Sequence, residues 1–264
     1  MEPITTKPSH APLPEGPASF ILSAVSGFVD TAGFILLAGI FTSHVTGNLV
    51  LAGAVMAGRI DGGVWVRLAL LTVFMVAVTA SSALATWANR RPSDGAGEKR
   101  QDASSTPAEG RQGMPSVVPL LLSAETVLLG AFLVTGLALS DNHQPLSSFS
   151  LFAIATPAVG AMGIQNALMR EGLKTYLPTT MMTGNTTQFS LDGLALLRGF
   201  TTPETRLRFR RTAIVLAGFL IGAALGAFSA SLLRMWSPAV PMIAVGSLAA
   251  YAAHTPKPKG VGNA

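Results

Sequence analysis

Two acidic residues lie inside long apolar stretches of the sequence, where a charged group is costly. Asp30 and Glu125 are the sole ionisable residues of the windows from Ala18 to Ile40 and from Val117 to Ser140. A charged acid at membrane depth costs roughly 2.5–3.5 kcal/mol on insertion scales, so acids that occur there usually have a function. A buried carboxyl group suits proton coupling. We predict this role for Asp30, with a hydrogen bond that fixes helix packing as the alternative. For Glu125 the packing role is favoured, and proton coupling is the alternative.

The tripeptide Thr-Gly-Asn occurs twice, and each copy opens a short apolar segment that follows a longer one. Threonine and asparagine cap helices well, and glycine permits a sharp turn. A helix that begins there presents free N–H groups and the positive end of its dipole, which suits an anion or another polar solute. The alternative is that the motif only caps and packs two buried half-helices. The six residues are Thr46, Gly47, Asn48, Thr183, Gly184 and Asn185.

Further polar residues accompany each copy of the tripeptide. Gln165 and Asn166 precede the second copy by nearly the distance at which Asp30 precedes the first. We therefore expect one polar core, shared by both halves of the chain, in which these residues and the tripeptides line a solute path. Hydrogen bonding between helices is the alternative role for the two amides. His44 lies just before the first tripeptide and can titrate near neutral pH, so it is a further candidate for proton coupling. A hydrogen bond within the loop is the alternative and the more usual role of a histidine in such a place.

The composition predicts an integral membrane protein that is built from helices. Of 264 residues, 49% are apolar and 12% are charged, against roughly 25% charged in soluble domains. Six windows are long enough to cross a ~30 Å hydrocarbon core, which takes ~20 helical residues. They are 18–40, 68–88, 117–140, 149–169, 212–233 and 235–253.

Several function classes lack support in the sequence. The chain has no cysteine, which excludes disulfides, thiolate metal sites and cysteine nucleophiles. It has no phosphate-binding loop, paired-histidine metal helix or Gly-x-Ser-x-Gly elbow. We therefore predict no catalytic residue, cofactor, metal or nucleic-acid partner. The expected partners are the lipid bilayer and an unknown small polar solute.

The basic residues favour six crossings over eight. The stretches 89–116 and 198–211 are rich in arginine and lysine, so the positive-inside rule places both in the cytoplasm. If the two short segments cross the membrane, the second basic stretch lies outside. If each enters and returns, both stretches and both termini lie in the cytoplasm of a bacterial inner-membrane protein, and residues 141–148 lie outside. The six-span arrangement leaves Arg59 and Arg67 outside, which is a milder violation.

The two halves of the chain then form an inverted repeat. Each half, 18–140 and 149–253, has one span, a re-entrant half-helix and two more spans, so an odd number of crossings turns the second copy upside down. We expect the two tripeptides to approach each other near the membrane midplane. The membrane domain extends over 18–254 with a cytoplasmic linker at 89–116. Two tails are predicted to flank this domain. They are residues 1–17, which we expect to be disordered, and residues 255–264.

A ladder of small residues follows the second tripeptide at a spacing of four. Such a ladder allows two helices to pack closely. We expect the contact to lie within the chain, and a contact between two copies in a homo-oligomer is the alternative. The ladder comprises Gly218, Gly222, Gly226 and Ala230.

The segments SGFVDTAGFILLAGIFTSHVTGN and AMGIQNALMREGLKTYLPTTMMTGN resemble the paired motifs of the YoaK-type family. This family comprises multi-pass membrane proteins of unknown function, found mainly in bacteria. The resemblance covers most of the chain from Ser19 to Tyr251 and implies a multi-pass membrane fold. It implies no substrate and no catalytic residue.

Three hypotheses for the function follow. The first is a small transporter or channel for a polar or anionic solute, coupled to protons. The second is a structural or regulatory membrane protein that transports nothing. An intramembrane enzyme has the least support, since His44 with Thr46 is the only local pair that resembles a base and a nucleophile.

Overall fold

The computed structural model describes residues 13–59, 63–90, 117–140, 145–199 and 202–255. Within these ranges the chain forms eight α-helices and one 3-10 turn, Arg234–Trp236, and no strand. The predicted all-α class is therefore confirmed. The helices are α1 (Glu15–Leu36), α2 (Val45–Met56), α3 (Val64–Arg90), α4 (Val117–Leu139), α5 (Ser148–Glu171), α6 (Met182–Leu197), α7 (Pro203–Leu233) and α8 (Ala239–His254).

Five of these helices, α1, α3, α4, α5 and α7, are long and apolar enough to cross a bilayer. The chain is thus a membrane-integral helical protein, as the composition predicts. The sixth predicted span, 235–253, is shorter as a helix in the structure, because the 3-10 turn at Arg234–Trp236 occupies the start of that window. The apolar helix α8 has only 16 residues, which reach about 24 Å.

Two predicted boundaries also differ. The helix α7 begins at Pro203, so most of the basic stretch 198–211 is helical rather than a loop. The reason is a strong start signal: the Thr202 side chain accepts from the Thr205 N–H, and a proline occupies the first turn. The helix α1 begins at Glu15, inside the predicted tail 1–17. Residues 1–12, 91–116 and 256–264 of the predicted tails and linker lie outside the described residues.

Contacts between helices fix their relative directions. The helix α7 runs parallel to α1, and α5 runs parallel to α3, since Gly63 lies beside Ser148 and Gly163 beside Ala77. In contrast, α5 runs antiparallel to α1, because Gln165 bonds Leu22 and Tyr176 bonds Leu13. The pairs that show the parallel course of α1 and α7 are Phe20 with Gly218, Ala24 with Gly222 and Phe28 with Gly226.

The helix α4 is antiparallel to both α5 and α8. Gly160 and Gly172 of the α5 region contact Leu128 and Val118 in reverse order, and Met242 of α8 contacts Gly130. Further along α8, Gly246 contacts Thr126. The helices α1, α4 and α7 therefore point one way, and α3, α5 and α8 point the other way. We call the end at which α1 begins the near end and the opposite end the far end.

The far end is closed by a buried arginine. Arg67, near the start of α3, is 4% exposed and donates to the carbonyl oxygens of Ala38 and Gly39 just after α1. Both of these residues have left-handed backbone angles. The end of α1 and the start of α3 therefore lie together. The side chain of Arg67 binds protein carbonyls, which accounts for a basic residue at the end where few were expected.

Candidate functional site

The chain turns back along α1 in the loop between α1 and α2, residues 37–44, which we call the first loop. The Phe41 ring packs on the Phe34 ring with centroids 4.8 Å apart. Two residues later, the Ser43 and Ser26 hydroxyl oxygens are 2.7 Å apart. The loop thus passes from position 34 to position 26 of α1, about 12 Å along the helix axis. The helix α2, which starts at Val45, therefore begins well inside the bundle.

Asp30 holds this loop in place. Its Oδ1 accepts from the backbone N–H groups of Thr42 (2.8 Å), Ser43 (2.8 Å) and His44 (3.3 Å). Its Oδ2 lies 2.7 Å from Nδ1 of His44. Carboxylates are stabilised near the positive end of a helix dipole and by N–H donors. The position at the start of α2 that was expected to suit an anion is therefore filled by a carboxylate of the chain itself.

His44 links this cluster to α7 and to the surface. Its ring meets the Phe219 ring edge-on at 5.4 Å, and its side chain is 33% exposed, against 7% for Asp30. The hydrogen bond with Asp30 raises the pKa of His44 above the ordinary value of 6.5; burial opposes this effect, and the charge of Asp30 adds to it. The pair can therefore hold a proton between a buried carboxylate and an accessible imidazole.

The first tripeptide fastens the loop from the other side. Asn48 is fully buried; its Nδ2 donates to the Phe41 carbonyl (2.8 Å), and its Oδ1 accepts from the Phe41 N–H (2.9 Å). Gly47 lies so close to the Phe41 ring that a side chain would collide with it. Thr46 is exposed. Asn48 and Gly47 therefore shape the loop, whereas Thr46 faces outward.

The loop between α5 and α6, residues 172–181, follows α1 from the opposite end, and we call it the second loop. The Tyr176 hydroxyl donates to the Leu13 carbonyl, and burial and the charge of Glu15 raise the pKa of Tyr176 to about 12. Further on, Gln165 Nε2 donates both to Thr179 Oγ1 (2.8 Å) and to the Leu22 carbonyl (2.7 Å). This loop therefore passes from the near end to the middle of α1.

The second tripeptide repeats part of the first arrangement. Asn185 is buried and donates to the carbonyl of Pro178, seven residues earlier, as Asn48 does to Phe41. The reciprocal bond is absent because proline has no N–H. Thr183 and Gly184 are exposed. The repeat in sequence thus corresponds to a repeat in local hydrogen bonding.

The amide pair takes the place of Asp30 in the second half. Asn166 Oδ1 accepts from the Thr180 hydroxyl (3.0 Å), and its Nδ2 donates to the Met162 carbonyl (3.3 Å). Gln165 is fully buried, and its Oε1 has no hydrogen-bond partner among the described residues. Each loop is therefore held by polar side chains of the preceding long helix.

The two loops meet α1 about one turn apart. The second contacts Leu22 through Gln165, and the first contacts Ser26; four residues correspond to ~6 Å. Both positions lie near the middle of α1, which spans Glu15–Leu36. The helices themselves diverge, since α2 packs on α3 and α6 on α7 without an interface of similar size between α2 and α6. The loops that precede the tripeptides therefore come near the same part of α1, and the approach of the tripeptides themselves stays a prediction.

A stripe of buried polar residues on α1 connects these features, and sequence reasoning missed most of it. The Ser23 hydroxyl donates to the Val215 carbonyl (2.6 Å), and Ser26 bonds Ser43. The spacing of four, three and four residues places the stripe on one helical face, a signal that was readable in the sequence. We call Ser19, Ser23, Ser26 and Asp30 the polar stripe.

The polar stripe begins at a cavity of the near end. This cavity of about 180 Å³ is lined by Ser19, Leu177 and Arg210 among others. At its edge the Arg211 guanidinium donates to Glu15 at 2.7 Å. The near end therefore offers a charged opening to the polar stripe.

Two other predicted residues or groups lie elsewhere. Glu125 is fully buried on α4, and neither carboxyl oxygen has a hydrogen-bond partner in the part of the chain that the structure describes. No hydrogen bond of its side chain therefore joins Glu125 to Asp30 or His44 among the described residues. The glycine ladder packs on α1 within the chain, and its last member, Ala230, packs with Phe28 and Ala32. The ladder therefore packs against a helix of the same chain, as we expected.

One ion pair of α6 was not predicted. Arg208 of α7 donates from Nε to Asp192 Oδ2 (2.8 Å) and from Nη2 to Oδ1. Gln188 also donates to Asp192 (3.0 Å), and the Phe189 ring stacks on the Phe209 ring at 4.5 Å. These contacts fix α6 against α7.

Comparison with known proteins supports the family resemblance. A family model described as "Protein of unknown function (DUF1275)" matches residues 18–252. No curated protein and no solved structure matches the chain. The match covers both loops and the polar stripe but assigns no activity to any residue.

Proposed function

We propose that this chain, which belongs to the DUF1275 family of proteins of unknown function, is a transporter or channel for a small polar solute in the bacterial inner membrane. The proposal depends on one observation: two loops from opposite ends of the bundle come to neighbouring turns of α1 deep in the bundle, the first by bonding Ser26 of the polar stripe and the second through Gln165, which bonds both Thr179 and the Leu22 carbonyl. Irregular backbone at membrane depth is tolerated inside protein or beside a watery cavity, and paired broken helices mark the substrate site of many transporters.

The proposed topology has six crossings and two re-entrant half-helices. The crossing helices are α1, α3, α4, α5, α7 and the shorter α8, and α2 and α6 each return to the end from which they came. The opposite directions of α1 and α3, with only α2 between them, support this arrangement. The same relation holds for α5 and α7 around α6. The halves 18–140 and 149–253 then form the inverted repeat.

The near end is proposed to face the cytoplasm. The basic residues at the start of α7 lie there, as the ion pair of Arg211 with Glu15 indicates, and cytoplasmic loops carry the excess of basic residues. Both termini then lie in the cytoplasm. A reporter fused at residue 62 is expected to report the outer side of the membrane, whereas full crossing by α2 predicts the cytoplasmic side.

The solute is proposed to be polar and uncharged at the point where the loops meet. Asp30 already occupies the start of α2, so a second anion there would meet a like charge. Serine hydroxyls of the polar stripe, Thr179 and the free Oε1 of Gln165 offer both donors and acceptors. Because one chain supplies the stripe and both loops, we propose that the path needs no second copy.

Proton coupling is proposed to use the pair of Asp30 and His44. The imidazole is accessible, and the carboxylate holds the loop that contacts the polar stripe. Loss of the proton from the pair changes the charge next to that loop, which gives a route from proton movement to loop position. In vesicles, solute flux driven by a proton gradient is expected in the wild type and not in Asp30→Asn.

Single cysteine variants test the path directly, because the chain has no cysteine of its own. Ser19→Cys is expected to react with a small thiol reagent from the near end, and Ser26→Cys is expected to react when solute flux is under way. Ser81→Cys, at a buried serine of α3, serves as the control. If Ser26→Cys stays as unreactive as Ser81→Cys from both sides of the membrane, the proposed path is wrong.

A structural or regulatory role is the second candidate, and it has support of its own. Asp30 and Asn48 satisfy their hydrogen bonds within the chain, as packing devices do. This role predicts that Asn48→Ala lowers stability while vesicles with and without the protein show equal solute flux. An intramembrane enzyme would need His44 within hydrogen-bond distance of a nucleophile such as Thr46 or Thr183. No hydrogen bond joins His44 to either threonine in the described ranges, and Nδ1 of His44 is bonded to Asp30.

A further inference from the structure

A second cavity of the near end lies on the other side of the second loop. Its volume is about 540 Å³, and it lies between the last turn of α5, the loop and the start of α6. Its lining combines two basic residues, Arg170 and Lys174, with the apolar side chains of Met169 and Met181. Asn166 also lines it. The lining of the cavity is thus partly basic and partly apolar.

The basic side chains of this cavity are poorly neutralised. Arg170 makes one long contact, from Nη2 to the Met181 sulfur at 3.9 Å, and no ion pair within the described residues. Lys174 lies 3.7 Å from Glu171, with its side chain 55% exposed. Two cations therefore face one carboxylate, and the guanidinium has donors available for an anion.

The start of α6 adds to this positive field. Its N-cap residue, Met181, lines the cavity and provides no side-chain cap, so the positive end of the helix dipole lies beside the cavity. A helix start of this kind favours phosphate groups. Arginine, lysine and a helix start therefore converge on a single opening.

The geometry points to the phosphate headgroup of an anionic phospholipid as the occupant of this cavity. A free phosphate ion would need the basic residues alone, whereas a phospholipid also uses the apolar wall of Met169 and Met181. Basic pockets between membrane helices on the cytoplasmic side bind such headgroups. This inference uses the proposed orientation of the near end and does not depend on transport.

The test measures the melting temperature of the full chain in neutral detergent. Phosphatidylglycerol is added in one series, phosphatidylcholine with the same acyl chains in a second and inorganic phosphate in a third. At a lipid concentration near one hundred times the dissociation constant, phosphatidylglycerol is expected to raise the midpoint by about 5 °C. The other two additives are expected to raise it by less than half as much.

The variants assign the effect to the cavity. Arg170→Gln with Lys174→Gln is expected to lose most of the phosphatidylglycerol shift. Arg198→Gln removes a charge from the end of α6, outside the cavity, and is expected to keep it. If the double variant is unstable, the single variants Arg170→Gln and Lys174→Gln are each expected to lose part of the shift, and an unchanged shift in both contradicts the inference.

Two results overturn the inference. A phosphatidylglycerol shift that persists in the double variant shows that the lipid binds elsewhere. An equal shift with inorganic phosphate shows that the site takes a free anion and not a lipid. The reporter at residue 62 tests the orientation separately, so a failure of the topology and a failure of the lipid site are distinguishable.

Discussion

Replacement of Asp30 is the sharpest test of the candidate site, because this one side chain holds three backbone N–H groups and His44. In Asp30→Ala the N–H groups of Thr42 and Ser43 lose acceptors at 2.8 Å, and each unsatisfied buried donor costs about 1–3 kcal/mol. We expect a total loss of about 3–5 kcal/mol, as for other broken buried pairs. For a chain of this size that loss lowers the melting temperature by roughly 5–9 °C.

Asp30→Asn separates the hydrogen bonds from the charge. The amide oxygen can still accept from the loop N–H groups, whereas the bond with the protonated His44 imidazole is lost. The expected loss is about 1.5–3 kcal/mol, the usual contribution of a hydrogen bond to a charged group. Melting followed by circular dichroism at 222 nm in detergent gives both numbers.

The pH dependence of melting identifies the partner. The pKa of His44 is raised in the folded protein, so the stabilisation it provides is complete below the unfolded value of about 6.5. It is lost as the pH rises through the higher folded value. The wild type is expected to lose stability over that range. Asp30→Asn and His44→Gln are each expected to lose this dependence.

A matched acid provides the control. Glu125→Gln changes another fully buried carboxyl group, one without a hydrogen-bond partner in the described part of the chain, and we expect its melting temperature to match or exceed that of the wild type. The reasoning about Asp30 is refuted if Asp30→Asn melts like the wild type at every pH, or if Glu125→Gln is the more destabilising change.

Three further predictions concern the packing that supports the site, each measured as a change in melting temperature. Gly222→Ala forces a methyl group against the backbone of α1 and should cost at least about 1–3 kcal/mol, whereas Gly53→Ala on α2 meets open space and should be neutral or stabilising. Asn48→Ala breaks two bonds to its loop and Asn185→Ala one, so the first should lose more stability; equal losses would contradict the bonding described. Arg208→Gln leaves a buried carboxylate of α6 without its ion pair, and since the arginine is half exposed we expect a loss of about 1–3 kcal/mol.

The sequence predicted the membrane class and the importance of Asp30, because charge is rare in an apolar window and stands out. It also predicted that the two Thr-Gly-Asn segments are equivalent, since both asparagines bond a carbonyl seven residues earlier. The predicted length of the last span and the predicted start of α7 were wrong. Hydropathy windows respond to composition, whereas the 3-10 turn at Arg234–Trp236 and the cap at Thr202 depend on local backbone geometry.

The site itself could be predicted only in part. Spacing alone identified polar residues on both halves but not which of them meet. The helical spacing of the polar stripe is readable in the sequence, but its partners, such as Ser43 for Ser26, are identified only when the loop is known to turn back along α1. The ion pair of Asp192 with Arg208 could not be predicted because it joins residues on two different helices, whose rotations a sequence does not give.

The two half-helices also differ in a way that bears on mechanism. The start of α2 is neutralised by Asp30, and the corresponding position before α6 carries the amides Gln165 and Asn166. An inverted repeat with equal halves would present the same field to a solute from both sides. Here one side carries the pair of Asp30 and His44 and the other side carries two neutral amides, so we expect a change in pH to act on the first loop rather than on the second. In the proton-coupled transporter that we propose, protonation of this pair would favour one position of the first loop over another.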